Sequence, residues 1–408
     1  MQRQRRPENP DLPTLQAWHN ATPSPSERYV WERNPYFHRV DNEGNQLPYI
    51  NELVMDIVSD EVIAAKTGGG ESDLQARYIR FDNFTFLKEA EEKHGFHTYL
   101  WSTGKGSQVA LFPNLNAQDT VWRGLMRDVR FRRALSLAID RDEINEVIYF
   151  GLATPSANTV MPESPLFKEE YRDAWAIRDI DKANELLDEA RLGARDKDGV
   201  RLLPNGQRAE ITVESAGEST EETDVLELIA DHWSQVGIKM FVRASQRDIF
   251  RRRAYNGETL ISVFSGMDNA IANSEMSPQE MAPTSQPQLQ WPKWGEYHDS
   301  KGKSGEPVDM PEAQAQLDRY NAALGWHQGR KARHLAGNVA HLYRPGLHHR
   351  NRQQFPSARR CFGQVAQRSR GSDLHLGANG VFRGLSTRYI LVREIGRRAV
   401  ETVRMIRG

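Results

Sequence analysis

A single cysteine, Cys361, in 408 residues excludes an internal disulfide and leaves no thiol set for a metal. No stretch approaches the roughly 20 consecutive apolar residues that cross a bilayer. The hydrophobic share is 38% and the mean hydropathy −0.69, values of a highly polar globular chain with ample material for a core. The basic start, Met1 to Arg6, is followed by Pro7 to Pro13 instead of an apolar core, so it is not a secretory signal as it stands. Catalytic signatures are missing too. There is no nucleophile elbow, no His-Glu-x-x-His and no Cys/His pair. His38, His94, His97, His232 and His298 are dispersed without ligand spacing. Asp140 to Glu143 lacks the spacing and glycine of a calcium loop. A non-enzymatic protein without metal or cofactor is therefore expected.

What is present is a hidden charge asymmetry. Residues 1–325 hold 37 Lys+Arg against 52 Asp+Glu, whereas residues 326–408 hold 17 against 3 and half of the twelve histidines. Such a split needs an explanation separate from that of the rest of the chain.

Along the chain, Arg28 to Glu32 and Leu53 to Val58 read as strands, followed by a short helix from Glu61 to Ala65 that ends at Gly68-Gly69-Gly70. That triplet lacks the ending of a phosphate loop and reads as a turn. Thr98 to Trp101 and Val109 to Phe112 are further strands. From about residue 120 the period becomes helical, with Phe131, Leu135 and Ile139 on one face. Arg130, Arg132 and Arg133 then fall on that helix's solvent face. Asp140 caps the next helix in capping-box spacing with Glu143, burying Ile144, Val147 and Ile148. Asp181 caps a helix that packs through Ala183, Leu186, Leu187 and Ala190. The turn Leu203 to Gly206 leads to a strand at Glu210 to Val213. A helix from Thr223 to Val236 and a strand from Ile238 to Val242 follow, then a helix from Arg247 to Ala254 and a strand from Leu260 to Phe264. This alternation argues for an α/β layer. Residues 274–311, rich in Pro, Ser, Gln and Gly, read as one long loop.

Four segments in fixed order resemble the family 5 extracellular solute-binding proteins of ABC importers, the oligopeptide- and dipeptide-binding type. They are Glu32-Arg33-Asn34-Pro35-Tyr36 with Leu47-Pro48-Tyr49-Ile50-Asn51; Asp128 to Leu135 with Ala138-Ile139-Asp140-Arg141; Asp181 to Ala190; and Trp233 to Met240. The resemblance covers roughly residues 28–300. It implies an α/β, periplasmic binding protein-like fold of type II, two-lobed, in a fragment lacking part of lobe I. Residues 1–111 would be the C-terminal part of lobe I, residues 112–325 lobe II, and residues 326–408 a basic tail. The implied function is capture of a peptide or peptide-like solute, an opine or other conjugate included, for an inner-membrane ABC permease. The intact protein would be a periplasmic monomer without nucleic acid.

The tail admits another origin. Written in plausible codons and read in another frame, His334 to His341 can give IWREMLHI, and Leu342 to Val392 a continuation resembling the family's usual ending. A frameshift between about Trp326 and His334 is therefore expected, and the gene sequence decides it. The competing class is a nucleic-acid-associated protein that uses this tail as a basic arm.

The resemblance also implies a site. Family ligands lie against the segment after the strand matching Leu260 to Phe264, and peptide-binding members place an aspartate there for the ligand's α-ammonium. Asp268 is the matching candidate, since a carboxylate holding an ammonium forms a charge-assisted hydrogen bond. Ser265, Gly266 and Asn269 are its neighbours. Trp291 and Trp294 could supply an aromatic wall, or simply pack the loop.

Overall fold

The computed structural model describes residues 9–100, 104–273 and 277–324, together with the backbone of three short strands in the C-terminal region. The chain divides into two compact units, residues 1–103 with 385–408 and residues 104–384.

In the first unit, β1 (Trp18–Asn20), β2 (Arg28–Arg33) and β3 (Glu52–Ile57) form an antiparallel meander. Helix α1 (Asp60–Gly68) and helix α2 (Phe84–His94) follow, and Gly95, in the left-handed region, turns the chain into β4 (Phe96–Leu100). Ile63, Ile79, Phe81, Leu87 and Phe96 are its buried apolar residues. Helix α2 has no counterpart among the sequence expectations.

The second unit opens with β5 (Ala110–Pro113) and the helices α3 (Thr120–Arg127), α4 (Val129–Leu137) and α5 (Arg141–Tyr149). A short strand β6 (Thr154–Pro155) and a helical turn α6 (Glu169–Arg172) precede α7 (Ile180–Glu189). Then come β7 (Glu210–Ser215), α8 (Thr220–Gln235), β8 (Lys239–Ala244), α9 (Arg247–Tyr255) and β9 (Ile261–Phe264). Helices α10 (Pro292–Asp299) and α11 (Pro311–Leu324) close it. In the C-terminal region β10 (Phe382–Arg383) pairs with β6, β11 (Tyr389–Arg393) with β4 and β12 (Thr402–Arg407) with β3. The other tail residues lie outside the described part, and with them the frameshift expectation.

The sheet of the second unit runs β5-β9-β7-β8. β7 is parallel to both neighbours, so each parallel step is made by a crossover through a helix. That strand is buried along most of its length, while β8, at the edge, leaves Phe241 and Val242 exposed. β5 pairs antiparallel with β9 from Ala110 opposite Phe264 to Pro113 opposite Ile261. The chain therefore enters the second unit before β5, ahead of the expected division at Leu111.

Side-chain caps start the helices. Asp128 accepts from the Arg130 amide, Asp140 from Glu143 and Ser219 from Glu222, each satisfying a first-turn N–H that has no intrahelical acceptor. The cap of α7 is Asp179, which accepts from Lys182, and not Asp181, which already lies in the first turn. The Asp140/Glu143 box is only half made. Glu143 turns instead to His232 of α8, 2.8 Å from its Nε2, while Nδ1 accepts the Asp140 amide at 3.3 Å. Val147, expected inside, is 56% exposed, and Tyr149 takes the buried position. The supposed loop 274–311 contains α10.

Tyr149 donates to Glu221 Oε1 at 2.6 Å at the N-terminus of α8. Beside it, burial first, then the Glu221 and Glu218 charges, push the Glu222 carboxyl up to about 7, against the opposing pull of Arg247. A folded-state value above the unfolded one means that the folded chain holds more protons between pH 4.5 and 7. Stability should therefore rise as pH falls through that window. Glu222→Gln is expected to gain about 1–3 kcal/mol at pH 8 and little at pH 4.5. Urea unfolding at the two pH values checks this, and equal gains at both would contradict it.

Candidate ligand-binding site

β9 ends at Phe264, and the chain continues as Ser265-Gly266-Met267-Asp268 along the segment that precedes β5. Gly266 N donates to Ser107 O at 2.9 Å, Gly106 N to Met267 O at 2.7 Å and Ala270 N to Gly104 O at 2.7 Å. The two segments approach closely because glycines face the contact. A Cβ on Gly266 would sit 2.4 Å from Asn158 Oδ1 and 2.4 Å from Ser107 Cβ, and one on Gly106 2.7 Å from the same Asn158 oxygen. Asn158 Oδ1 also accepts the Met267 amide at 3.1 Å, which fixes the turn.

A cavity of about 360 Å³ opens above this floor, within the range of small-ligand sites. Phe112, Phe250, Tyr255 and Phe264 give it aromatic walls, and Ser265, Gly266, Asp268, Glu280 and Arg251 line it together with residues 287–290. The sequence expectations Ser265, Gly266 and Asp268 thus come together. Asn269 lies beside them, outside the lining, and its backbone reaches Glu280. Trp291 is not part of the wall. It is buried in the loop, its indole N–H donating to Gln288 Oε1 at 2.9 Å. Trp294, inside α10, is likewise buried, with the Arg127 guanidinium 5.2 Å from its ring centroid.

Two charged residues were not anticipated. Lys105 Nζ lies 2.6 Å from Asp268 Oδ1 and 3.0 Å from Ser265 Oγ, while the Asp268 side chain remains 70% exposed. Glu280 accepts from the Asp268 amide at 2.7 Å and from the Asn269 backbone. Burial, with Asp268 adding to it, raises the Glu280 carboxyl above its ordinary range, against those two amides and Lys105. Two carboxylates, a guanidinium and a hydroxyl therefore line the cavity together with aromatic surface, and the Lys105 ammonium contacts two of these lining residues, Ser265 and Asp268. Such a set can bind a cation or a polar, partly apolar molecule. Among the described residues no three His, Cys, Asp or Glu side chains are grouped to hold a metal ion, and no helix is long and apolar enough to cross a membrane.

Comparison with known proteins fits this geometry. Residues 14–284 match the model of the bacterial extracellular solute-binding proteins, family 5, middle region. The periplasmic alpha-galactoside-binding protein of Rhizobium meliloti (strain 1021) is 25% identical over 334 residues, covering 76% of this chain and 45% of that protein. Among solved structures, an oligopeptide-binding protein OppA superposes with a TM-score of 0.59 at 33% identity, covering 83% of this chain and 56% of that one. The periplasmic binding protein MelB of Agrobacterium fabrum C58, in complex with stachyose, superposes at 0.61 with 19% identity over 83% of this chain and 52% of its own, a likeness of fold. The chain thus spans about half the length of these relatives. The fold class is α/β, of the type II periplasmic binding protein kind.

Proposed function

From the premise that this chain belongs to the bacterial extracellular solute-binding proteins of family 5, the solute-binding components of ABC importers, we propose that it binds a peptide or peptide-like solute for an inner-membrane permease. In this reading the first unit belongs to lobe I and the second to lobe II. The protein acts in the periplasm, as a monomer, without catalysis and without nucleic acid. The relatives in this family are transport proteins and not enzymes.

The observation that carries the peptide reading is Asp268. Its carboxylate is exposed at the cavity and already accepts an ammonium, that of Lys105, at 2.6 Å. A position that receives one ammonium is shaped to receive another, and a peptide's α-ammonium would take over or share it. The aromatic side chains of the lining offer surface to apolar side chains of the solute. Likeness to OppA supports the same ligand class.

Isothermal calorimetry with short peptides and their N-acetylated forms tests the reading. Asp268→Asn should weaken binding of free-amine peptides about tenfold or more and leave the acetylated ones unchanged. Lys105→Met, which removes the internal competitor, should tighten the free-amine peptides. Tight binding of a neutral galactoside, indifferent to Asp268→Asn, would move the site to the sugar class that the Rhizobium relative's name describes.

A further inference from the structure

The solute site leaves unexplained a second cavity, of about 230 Å³, in the same unit. It shares only Asn158 with the first. Leu111, Leu135, Ile139 and Ile261 give it apolar walls, and Arg132 of α4 and Arg141 of α5 also line it. No carboxylate belongs to its lining.

Arg141 is only 6% exposed, and its hydrogen bonds run to neutral acceptors. These are the Ser136 carbonyl at 2.9 Å, the Ala176 carbonyl at 3.0 Å, the Ile139 carbonyl at 3.5 Å and the Ser136 hydroxyl at 2.9 Å. Its Nε–H is buried with no acceptor among the described residues. Arg132 donates to the Met126 carbonyl at 2.5 Å, and the acidic groups near it, Asp128 and Glu312, act on it only through space. Desolvation lowers both guanidinium groups to about 10, so both stay charged at neutral pH. Arg141 is buried with Asp142 acting on it only through space, and a buried charge with no carboxylate in contact is unfavourable, the more so beside a second, half-buried guanidinium. Nearby, Arg130 has its carboxylate in Asp128 and Arg133 stacks on Trp175, 4.4 Å from the ring centroid. Neither arginine at the cavity is hydrogen-bonded to a carboxylate among the described residues. Arg132, expected on the solvent face of its helix, is half-buried and lines the cavity.

We propose that this cavity is a second binding site, one that takes a small organic carboxylate. Its oxygens lie against Arg132 and Arg141, whose planar donors match a carboxylate edge, and its apolar body fills the space among Leu111, Leu135, Ile139 and Ile261. Inorganic phosphate would satisfy the guanidinium groups but leave that apolar surface empty.

Thermal unfolding and calorimetry of the full chain with benzoate, benzamide and inorganic phosphate test it. Benzoate well above its dissociation constant should raise the unfolding midpoint by about 2 °C or more, and benzamide should not. Arg132→Gln should weaken benzoate at least about tenfold. Ala157→Leu narrows the same cavity without touching a charge, so it should abolish the response even if the arginine variant folds poorly. The proposal is overturned by no benzoate response in the unaltered chain, by an equal response to benzamide, by a larger one to phosphate, or by a benzoate response that survives Ala157→Leu.

Discussion

Replacing Gly266 by alanine is expected to destabilise the second unit by about 3–6 kcal/mol and to abolish solute binding. The added carbon would lie 2.4 Å from Ser107 Cβ and 2.7 Å from Ser107 N. The second of these is backbone, which cannot rotate away as the end of a side chain can. Relief requires the 104–107 and 265–270 segments to part, at the expense of some or all of the three backbone hydrogen bonds between them. Lys105 rides on one segment and Asp268 on the other, so parting them also pulls the ammonium from the carboxylate. Gly124→Ala is the matched control. Gly124 lies inside α3 with nothing within 4 Å of its added carbon, and alanine there should stabilise by about 0.5–1 kcal/mol. Urea unfolding of both variants, with peptide binding measured on the folded fraction, checks the contrast; a Gly266→Ala protein as stable as Gly124→Ala would refute it.

Arg201→Met should cost about 3–5 kcal/mol, for a different reason. Arg201 is 1% exposed and ties the end of α8 to the C-terminal half of α7. Its Nε donates to Val236 O at 2.7 Å, Nη1 to Leu192 O at 2.6 Å and to Asp188 Oδ1 at 2.5 Å, and Nη2 to Asn184 Oδ1 at 2.8 Å. Methionine keeps much of the volume but takes the guanidinium from Leu192 O and leaves Val236 O and Asn184 Oδ1 to Arg195 alone. Lysine should fail nearly as badly, because a single ammonium cannot reproduce the planar fork. Asp188→Asn, by contrast, should cost less than about 1 kcal/mol, since the Asp188 side chain is 61% exposed. Chemical unfolding of the three variants separates the carbonyl role from the ion pair: comparable losses for Asp188→Asn and Arg201→Met would contradict this reading.

The two predictions also mark where sequence reasoning reaches and where it stops. Periodicity and caps placed α4, α5, β7, α8, β8 and β9, because their apolar spacing and first-turn acids are local signals. The slip from Asp179 to Asp181 arose from two aspartates that compete for one cap within a single turn. Ser265, Gly266 and Asp268 were legible as the segment after β9. Lys105 was not, since the lysine and the aspartate lie 163 positions apart and nothing local to either announces the pairing. Glu280 was hidden in a stretch whose composition reads as loop, where burial of a carboxylate leaves no periodic trace. The place of Arg132 at the second cavity escaped for a related reason. A helical wheel assigns a cation to water unless tertiary packing encloses it, and the wall opposite comes from β5 and β9, which are distant in sequence.

The edge strand β8 carries a consequence of its own. Among the described residues no strand pairs with its outer side, next to exposed Phe241 and Val242, the arrangement on which a second chain can add a strand. Lys239 and Arg243 stand at either end of that apolar pair and act as charged gatekeepers against such stacking. Strand addition at this edge is therefore opposed by two cations that lie outside both cavity linings.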